Sequence, residues 1–290
     1  MTKIAAKHVV ITGAGSGIGR LVASRMAAMG AEVTMLDVNE EGLGRAVEQI
    51  RDADGQTRGY TCDVSDKEAV ARVARRIVRE AGPVDILVNN AGVVSGDWLP
   101  DLTDEQIERT FGVDALGLFW MTRAFLPAMI ERGAGHIVNV ASAAGLVGTC
   151  QETDYAASKH AAVGFDEALR MELRREAPSV RTTVVCPYYI DTGMFTGVRT
   201  RFPWLLPILK EDQVAKGIVR AIQTNQQRVL MPWAVRALPV LREVLPLPMF
   251  DKLMDVLGVN DAMSKFTGRK TPARSGRGGA KGRPARAAKP

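Results

Sequence analysis

Cysteine and long apolar runs are scarce in this 290-residue chain. Its three cysteines, Cys62, Cys150 and Cys186, are far apart and lack the spacing of metal ligands. We therefore expect reduced thiols and no metal site. No run of about 18 apolar residues is evident, so no transmembrane helix is expected. Residues 1–7 lack the pattern of a secretory signal. These absences together predict a cytoplasmic protein.

Acidic residues are missing from residues 269–290, where eight lysines and arginines lie among glycine, proline and alanine. The net charge of +6 becomes −2 without this segment, so the rest of the chain is not basic. A segment with so few large apolar residues cannot bury a core, which predicts a disordered tail. Peripheral contact with an anionic membrane is the alternative, and nucleic acid is the less expected partner because the segment has no aromatic residue for base stacking.

Strand-like and helix-like segments alternate through residues 1–268, and a hydrophobic content of 46 % supplies a core for one α/β domain. Helix-length segments between strands favour a parallel, doubly wound sheet of about seven strands. A helical extension is expected over residues 233–268. The predicted strands are 8–12, 32–36, 57–61, 84–88, 135–141, 180–186 and 228–231.

A glycine-rich turn, TGAGSGIG, follows the first predicted strand and precedes a helical segment that ends at Gly30. Gly13, Gly17 and Gly19 would allow a tight turn, and the helix N-terminus would offer N–H groups to a pyrophosphate. The spacing differs from GxGxxG, so a glycine turn without a ligand stays open as an alternative. The second predicted strand leads to Asp37, whose carboxylate suits the ribose of NAD and repels the 2′-phosphate of NADP.

Tyr155 and Lys159 lie four residues apart in YAASK, and Ser142 precedes them in NVASAAG. On a helix the two side chains share one face, so the ammonium would lower the pKa of the phenol. The phenol could then act as general acid/base, with Ser142 stabilising charge on the same substrate oxygen. Taken alone, the pair also fits a solvated helix face.

The order of these motifs, with Asp63 in CDVSD and NNAG at 89–92, resembles the short-chain dehydrogenase/reductase family from about residue 7 to residue 232. Three further segments are similar to the retinol dehydrogenases and the lipid-associated 17β-hydroxysteroid dehydrogenases. They are AFLPAMIERGAGHIVNVAS at 124–142, VCPYYIDTGMF at 185–195 and AIQTNQQRVLMP at 221–232. The resemblance implies a Rossmann fold and NAD-dependent hydride transfer on a lipophilic alcohol or ketone, of retinoid, steroid or fatty-alcohol type.

The family pattern also implies residue roles. The catalytic set is Ser142, Tyr155, Lys159 and Asp114. The cofactor-binding set is Gly13, Ser16, Gly17, Ile18, Gly19, Asp37, Asp63, Val64, Asn90, Ala91, Gly92, Tyr155, Lys159, Pro187, Ile190 and Thr192. A substrate lid is implied around residues 193–210, and a homodimer or homotetramer is usual.

Two positions depart from the family pattern. Asp114 stands where an asparagine is common, and if buried it could pair with Lys159 and offset its effect on Tyr155. Tyr188 follows Pro187 where glycine is common, which places a bulkier group at the nicotinamide pocket.

Two alternative functions also fit the sequence. A catalytically impaired NAD-binding sensor is one, and an interaction protein that acts through its basic tail is another. Residues 233–266 could wall a lipophilic pocket, mediate oligomer contacts, lie on a membrane or cap the sheet.

Overall fold

The computed structural model describes residues 1–268, which form one seven-stranded parallel sheet with helices on both faces. The spatial order is β3-β2-β1-β4-β5-β6-β7. The strands are β1 (His8–Thr12), β2 (Glu32–Asp37), β3 (Thr57–Thr61), β4 (Ile86–Asn89), β5 (Gly135–Val140), β6 (Val180–Pro187) and β7 (Arg228–Met231).

Nine α-helices are found within residues 1–268. They are α1 (Gly17–Ala28), α2 (Glu40–Arg51), α3 (Lys67–Ala81), α4 (Asp104–Phe111), α5 (Gly117–Glu131), α6 (Thr153–Glu176), α7 (Glu211–Thr224), α8 (Leu238–Val244) and α9 (Leu247–Val256). A π-helical turn, Gly112–Leu116, joins α4 to α5. Apolar residues of α1, α2 and α7 cover one face of the sheet, and those of α3, α5 and α6 cover the other.

The sheet buries both faces because its central strands are apolar at successive positions. In β1, Val9 and Ile11 pack into the core under α1 and α7, whereas Val10 packs into the core under α3 and α5. This is the alternation that a pleated strand imposes, with each layer of helices receiving every second side chain. Side-chain caps precede α2, α3 and α4, as at Asp66, which accepts hydrogen bonds from the N–H groups of Glu68 and Ala69 before α3.

The predicted fold class is confirmed, with seven parallel strands and a helical extension after β7. The strand predicted at 84–88 begins later, at Ile86, and includes Asn89. Three other strands end one residue away from their predicted ends, namely β2, β5 and β6. The basic segment 269–290, predicted to be disordered, lies outside the described residues.

One helical stretch is long and apolar enough to cross a membrane when a few charged residues are allowed within it. Within the described part of the chain, the continuous helical stretch Asp104–Glu131 meets that criterion by length and composition, with a mean hydropathy of 1.3. In this fold 44 % of the apolar window is buried. Met121, Phe125 and Met129 of α5 lie in the core between α3 and the sheet, so packing within the domain accounts for part of the apolar composition.

The segment between β6 and α7 and the chain after β7 form a third apolar cluster beside the sheet. Val198 and Leu206 of the former pack with Phe250, Met254 and other residues of the latter. Backbone hydrogen bonds join the two segments as well, from Arg199 N–H to the Ala262 carbonyl at 3.1 Å and from Thr267 N–H to the Thr196 carbonyl at 2.9 Å. The extension therefore supports the region predicted as the lid.

Candidate active site

The glycine-rich turn connects the carboxyl end of β1 to the start of α1. Gly13 and Gly17 have φ angles of +63° and +55°, which L side chains rarely adopt. A Cβ on Gly13 would lie 2.8 Å from Ala91 Cα, and a Cβ on Gly19 would overlap the Gly13 carbonyl oxygen. There is therefore no space for a side chain at Gly13 or Gly19, and the N-terminus of α1 borders a cavity where an anion would be favoured.

The carboxylate of Asp37, at the end of β2, is held in place by main-chain donors. Its Oδ2 accepts from Gly15 N–H at 2.8 Å and its Oδ1 accepts from Asn39 N–H at 2.9 Å. Each oxygen keeps a second lone pair, so the group can still accept hydrogen bonds from a ligand hydroxyl. A fixed negative charge thus lies at one end of the cavity.

Asn90 joins the ends of β1 and β4. Its Nδ2 donates to the carbonyl oxygens of Thr12 at 3.0 Å and Gly13 at 3.2 Å. Thr12 Oγ1 accepts in return from the N–H groups of Asn90 at 2.9 Å and Ala91 at 3.0 Å. These bonds hold the segment after β4 against the glycine turn, which fixes the width of the cleft between them.

Asp63 lies just after β3, where its Oδ1 accepts from Ser65 N–H at 2.9 Å and from Ser65 Oγ at 2.6 Å. Its side chain closes a local turn and also borders the cavity, beside Val64. Asp63 can therefore hold this turn and face a bound ligand at the same time.

Ser142, Tyr155 and Lys159 meet at the other end of the same cleft. Ser142 follows β5, and its Oγ accepts from Ala144 N–H at 3.1 Å and donates to the Pro187 carbonyl at 3.5 Å. Tyr155 and Lys159 lie on one face of α6, with the ammonium 5.5 Å from the centre of the phenol ring. Lys159 Nζ also donates to the Val140 carbonyl at 3.3 Å. The arrangement brings a hydroxyl, a phenol and a cation to one point.

Asp114 lies behind this group, on the π-helical turn, and is fully buried. Its Oδ2 is 3.1 Å from Lys159 Nζ, and its Oδ1 accepts from Val93 N–H at 2.8 Å. Burial raises the pKa of this carboxyl, and Lys159 opposes the rise.

The predicted direction of the Tyr155 pKa shift is wrong for this arrangement. Burial raises the pKa of the phenol well above 10, and the negative charges of Asp114 and Glu152 add to the rise. The hydrogen bond with Ser142 acts in the opposite direction. Lys159 does not reverse the shift because its charge is paired with Asp114 rather than directed at the phenol alone.

A cavity of about 510 Å³ follows the carboxyl edge of the sheet between these two ends. Two predicted residues, Gly19 and Asp114, lie behind its lining. The predicted residues that line it are Gly13, Ser16, Gly17, Ile18, Asp37, Asp63, Val64, Asn90, Ala91, Gly92, Ser142, Tyr155, Lys159, Pro187, Ile190 and Thr192. The glycine turn, the fixed carboxylate at one end and the elongated volume fit a dinucleotide.

Aromatic side chains border the cleft beyond Ser142. Tyr188 and Tyr189 stand edge to face with ring centres 4.7 Å apart, and Phe195 lies 5.3 Å from Tyr189 and 6.0 Å from Tyr155. The bulky residue expected after Pro187 is thus part of the cavity wall. With Met194, it makes this end of the cleft suitable for an apolar ligand.

Some residues near the cleft were not predicted. Arg109 of α4 lines the cavity, although nothing in its local sequence marks it, because only the fold brings α4 to the cleft. Glu152 is buried three residues before Tyr155, and burial raises its pKa to about 7. Its position one turn before the YAASK motif was a usable signal. Within residues 1–268, no group of three or more His, Cys, Asp or Glu residues could hold a metal ion.

Comparisons with known proteins agree with this geometry. The family model for short chain dehydrogenases matches residues 7–202. Epidermal retinol dehydrogenase 2 of Mus musculus is 42 % identical over 269 residues, which cover 92 % of this chain and 87 % of that protein. Retinol dehydrogenase 10 of Xenopus tropicalis is 38 % identical, with 93 % of this chain and 87 % of that protein covered.

Solved structures agree as well. A short-chain dehydrogenase/reductase from Burkholderia phymatum in complex with NAD has a TM-score of 0.77 and 32 % identity, covering 84 % of this chain and 95 % of that one. A metagenomic short-chain oxidoreductase in complex with NADP has a TM-score of 0.67 and 28 % identity, covering 79 % and 97 %. Relatives thus bind either nicotinamide cofactor. The chain belongs to the short-chain dehydrogenase family and is a nicotinamide-dependent oxidoreductase.

Proposed function

We propose that this enzyme uses NAD to interconvert a lipophilic alcohol and its carbonyl compound, with Tyr155 as general acid/base. One observation carries the proposal. The Ser142–Tyr155–Lys159 group and the glycine turn with Asp37 line a single cavity, so a dinucleotide held by the turn would end beside the phenol. When bound, the nicotinamide supplies the carbon that gives or accepts the hydride.

The protein's own groups would handle the proton and orient the substrate oxygen. Ser142 Oγ and the Tyr155 phenol both face the cleft, and together they would hold that oxygen through two hydrogen bonds. Because its pKa is raised, the phenol is protonated near neutral pH and suited to donate a proton to a carbonyl oxygen. Alcohol oxidation needs the deprotonated phenol, so that direction should become faster as the pH rises.

NAD is the proposed cofactor in preference to NADP. Asp37 keeps a negative charge at the end of β2, and the main-chain bonds from Gly15 and Asn39 prevent it from turning away. A 2′-phosphate at this point would meet a like charge, whereas a 2′-hydroxyl would donate a hydrogen bond.

The proposed substrate is apolar and of retinoid, steroid or fatty-alcohol type. Phe195, Met194 and Tyr188 supply an apolar wall beyond Ser142, and Leu206 and Phe250 add apolar volume behind it. Relatives at 42 % and 38 % identity are named retinol dehydrogenases, which supports the same substrate class.

The test is steady-state turnover of purified enzyme with NAD or NADP and a panel of alcohols of increasing apolar size, short alkanols included. We expect NADH formation that depends on Tyr155, with kcat/KM rising with the apolar area of the alcohol. Turnover that survives Tyr155→Phe, or a preference for short polar alcohols, would contradict the proposal.

An NAD-binding sensor without useful turnover is the second candidate. The Asp114–Lys159 ion pair favours it, because the pair removes the free cation that would lower the pKa of Tyr155. Tight NAD binding by calorimetry, together with no turnover of any alcohol or ketone in the panel, would establish this candidate instead.

Exposed apolar side chains support two proposals about binding partners, a second copy of the chain and an anionic membrane. Phe119, Leu116 and Ile130 leave apolar side chains exposed on and beside α5, which supports a homo-oligomer formed through this helix. Val240 and Val244 of α8 are exposed as well, and with the basic segment 269–290 they support peripheral contact with an anionic membrane. Sedimentation velocity tests the first proposal, and flotation with anionic and neutral vesicles tests the second.

A further inference from the structure

A second, smaller cavity adjoins the catalytic cleft on its apolar side. It has a volume of about 20 Å³, enough for roughly one water molecule. Ser142, Tyr188 and Phe195 line both cavities, so the small one opens from the place where the substrate oxygen would be held. Its remaining walls include the apolar side chains of Val147 and Leu206.

One carboxyl group, that of Glu152, lies in this apolar wall. Glu152 is 1 % exposed, lies immediately before α6 and three residues before Tyr155, and lines the small cavity. Its Oε2 accepts hydrogen bonds from Thr149 Oγ1 and from Tyr189 Oη, the latter at 3.2 Å. Its Oε1 is buried and has no hydrogen-bond partner among the described residues.

A buried carboxylate oxygen without a donor is costly for a protein to keep. Two of the four acceptor positions of Glu152 are already used to fix its orientation through Thr149 and Tyr189. No Lys or Arg of residues 1–268 is among the causes of its shifted pKa, and Asp154 adds a negative charge instead. The site is therefore complete only when a hydrogen-bond donor reaches Oε1.

We propose that Glu152 determines substrate specificity by accepting a hydrogen bond from a second hydroxyl group on the substrate. The preferred substrates are then apolar diols or hydroxyketones, whose first oxygen lies at Ser142 and Tyr155 and whose body extends towards Glu152. This inference rests on the proposed function and narrows its substrate class. A site built around a buried hydrogen-bonding group discriminates strongly against analogues that lack the matching group.

The test compares a series of α,ω-diols with their monomethyl ethers, which have the same backbone but lack the second donor. Assays are run well above the pKa of about 7 of Glu152, where its carboxylate only accepts hydrogen bonds. Counted per reactive hydroxyl, we expect kcat/KM to favour the diol by at least about tenfold at the chain length that reaches Oε1. A ratio near one at every chain length would overturn the inference.

Three variants sharpen the result. Glu152→Gln replaces the carboxylate with an amide that can also donate to an ether, so the diol preference should fall several-fold. Tyr189→Phe removes one of the two bonds to Oε2 and leaves Oε1 in place, so the diol preference should fall less than in Glu152→Gln. Glu243→Gln changes an exposed glutamate on α8 and should leave the ratio at its wild-type value.

The outcomes separate this inference from the proposed function. Equal kcat/KM for diol and ether, with turnover that depends on Tyr155, overturns the role of Glu152 and leaves the enzyme class intact. Absence of turnover with every alcohol overturns both. A purely structural Glu152 predicts lower thermal stability in Glu152→Gln with an unchanged ratio. The wild-type ratio decides the question even if that variant does not fold.

Discussion

The two ends of the catalytic cleft differ in the chemical groups that form their contacts. At the nucleotide end the contacts are made by main-chain groups and short side chains, as in the bonds from Gly15 and Asn39 to Asp37. At the substrate end the walls are large side chains such as Tyr189 and Phe195, supported by the segment after β7. One end fixes geometry through the backbone, and the other fills space with side chains.

This difference has a physical consequence for substitution. Backbone contacts at a glycine turn depend on φ angles and on the absence of Cβ, so few residues satisfy them. An aromatic wall depends on volume and shape, which several combinations of side chains can supply. A substitution that adds even one carbon atom at the nucleotide end should therefore weaken NAD binding strongly. A substitution at the substrate end should mainly change which alcohols the enzyme accepts.

The largest expected effect is at the junction of the two ends. Tyr155→Phe removes the phenol oxygen and leaves the ring, so kcat should fall by roughly 10²–10⁴-fold, the usual contribution of a general acid/base. NAD affinity, measured by calorimetry, should change little because the glycine turn and Asp37 are untouched. An equal loss of NAD affinity and turnover would show that Tyr155 belongs to the nucleotide end instead.

The second-largest effect is expected at the nucleotide end, where backbone contacts hold the glycine turn. Gly19→Ala places a methyl group where the Gly13 carbonyl oxygen lies, so the turn must shift and NAD affinity should fall by at least about tenfold. Gly44→Ala is the matched control, because a Cβ at Gly44 of α2 has no atom within 4 Å. That control should bind NAD normally and gain slightly in thermal stability from its helix propensity. Equal behaviour of the two variants would contradict the packing of the turn.

The difference between the nucleotide end and the substrate end also explains which features could be predicted from the sequence. The strand order and the position of Asp37, Asn90 and Ser142 at the carboxyl edge follow from a parallel sheet, which places all strand ends together. The start of β4 was misplaced because Val84 is buried and looks like strand, although Asp85 donates to β1 before the ladder begins. A hydrophobic pattern records burial and not where strand pairing starts.

The substrate end was less predictable because its properties arise from packing between distant segments. The direction of the Tyr155 pKa shift depends on burial and on the partner of Lys159, neither of which the YAASK motif contains. Glu152 shows the same limit, since its unpaired oxygen belongs to a side chain that lines a pocket formed with the segment after β6 and with the extension. Local motifs identify reactive groups, whereas their pKa values require the whole fold.

The third prediction concerns the preference for NAD over NADP, which also depends on the nucleotide end. Asp37→Ser removes the charge and keeps a short acceptor, so the preference for NAD over NADP in kcat/KM should narrow by roughly tenfold or more. Glu40→Gln, on the exposed first turn of α2, removes a nearby charge away from the cavity and should leave the preference unchanged. A wild-type enzyme that already prefers NADP would refute the proposed role of Asp37.

The smallest expected effect in rate, and the most specific in direction, concerns Asp114. Its negative charge helps to raise the pKa of Tyr155 and holds Lys159 at 3.1 Å. Asp114→Asn removes that charge and leaves the Lys159 cation unpaired, and both changes lower the pKa of the phenol. Burial, the largest cause of the shift, remains, so the pKa should fall without returning to that of a free tyrosine.

The sign of the pH response follows from the role of the phenol in each direction. Alcohol oxidation uses the deprotonated phenol, so the rising limb of its kcat/KM profile should move to lower pH in Asp114→Asn. Ketone reduction uses the protonated phenol, so its falling limb should move to lower pH as well. Asp166→Asn is the control, because it changes a buried carboxyl of α6 that shifts the pKa of neither Tyr155 nor Asp114. If both limbs stay where they are in wild type, Asp114 carries no charge in the folded enzyme and its pairing with Lys159 does not tune Tyr155.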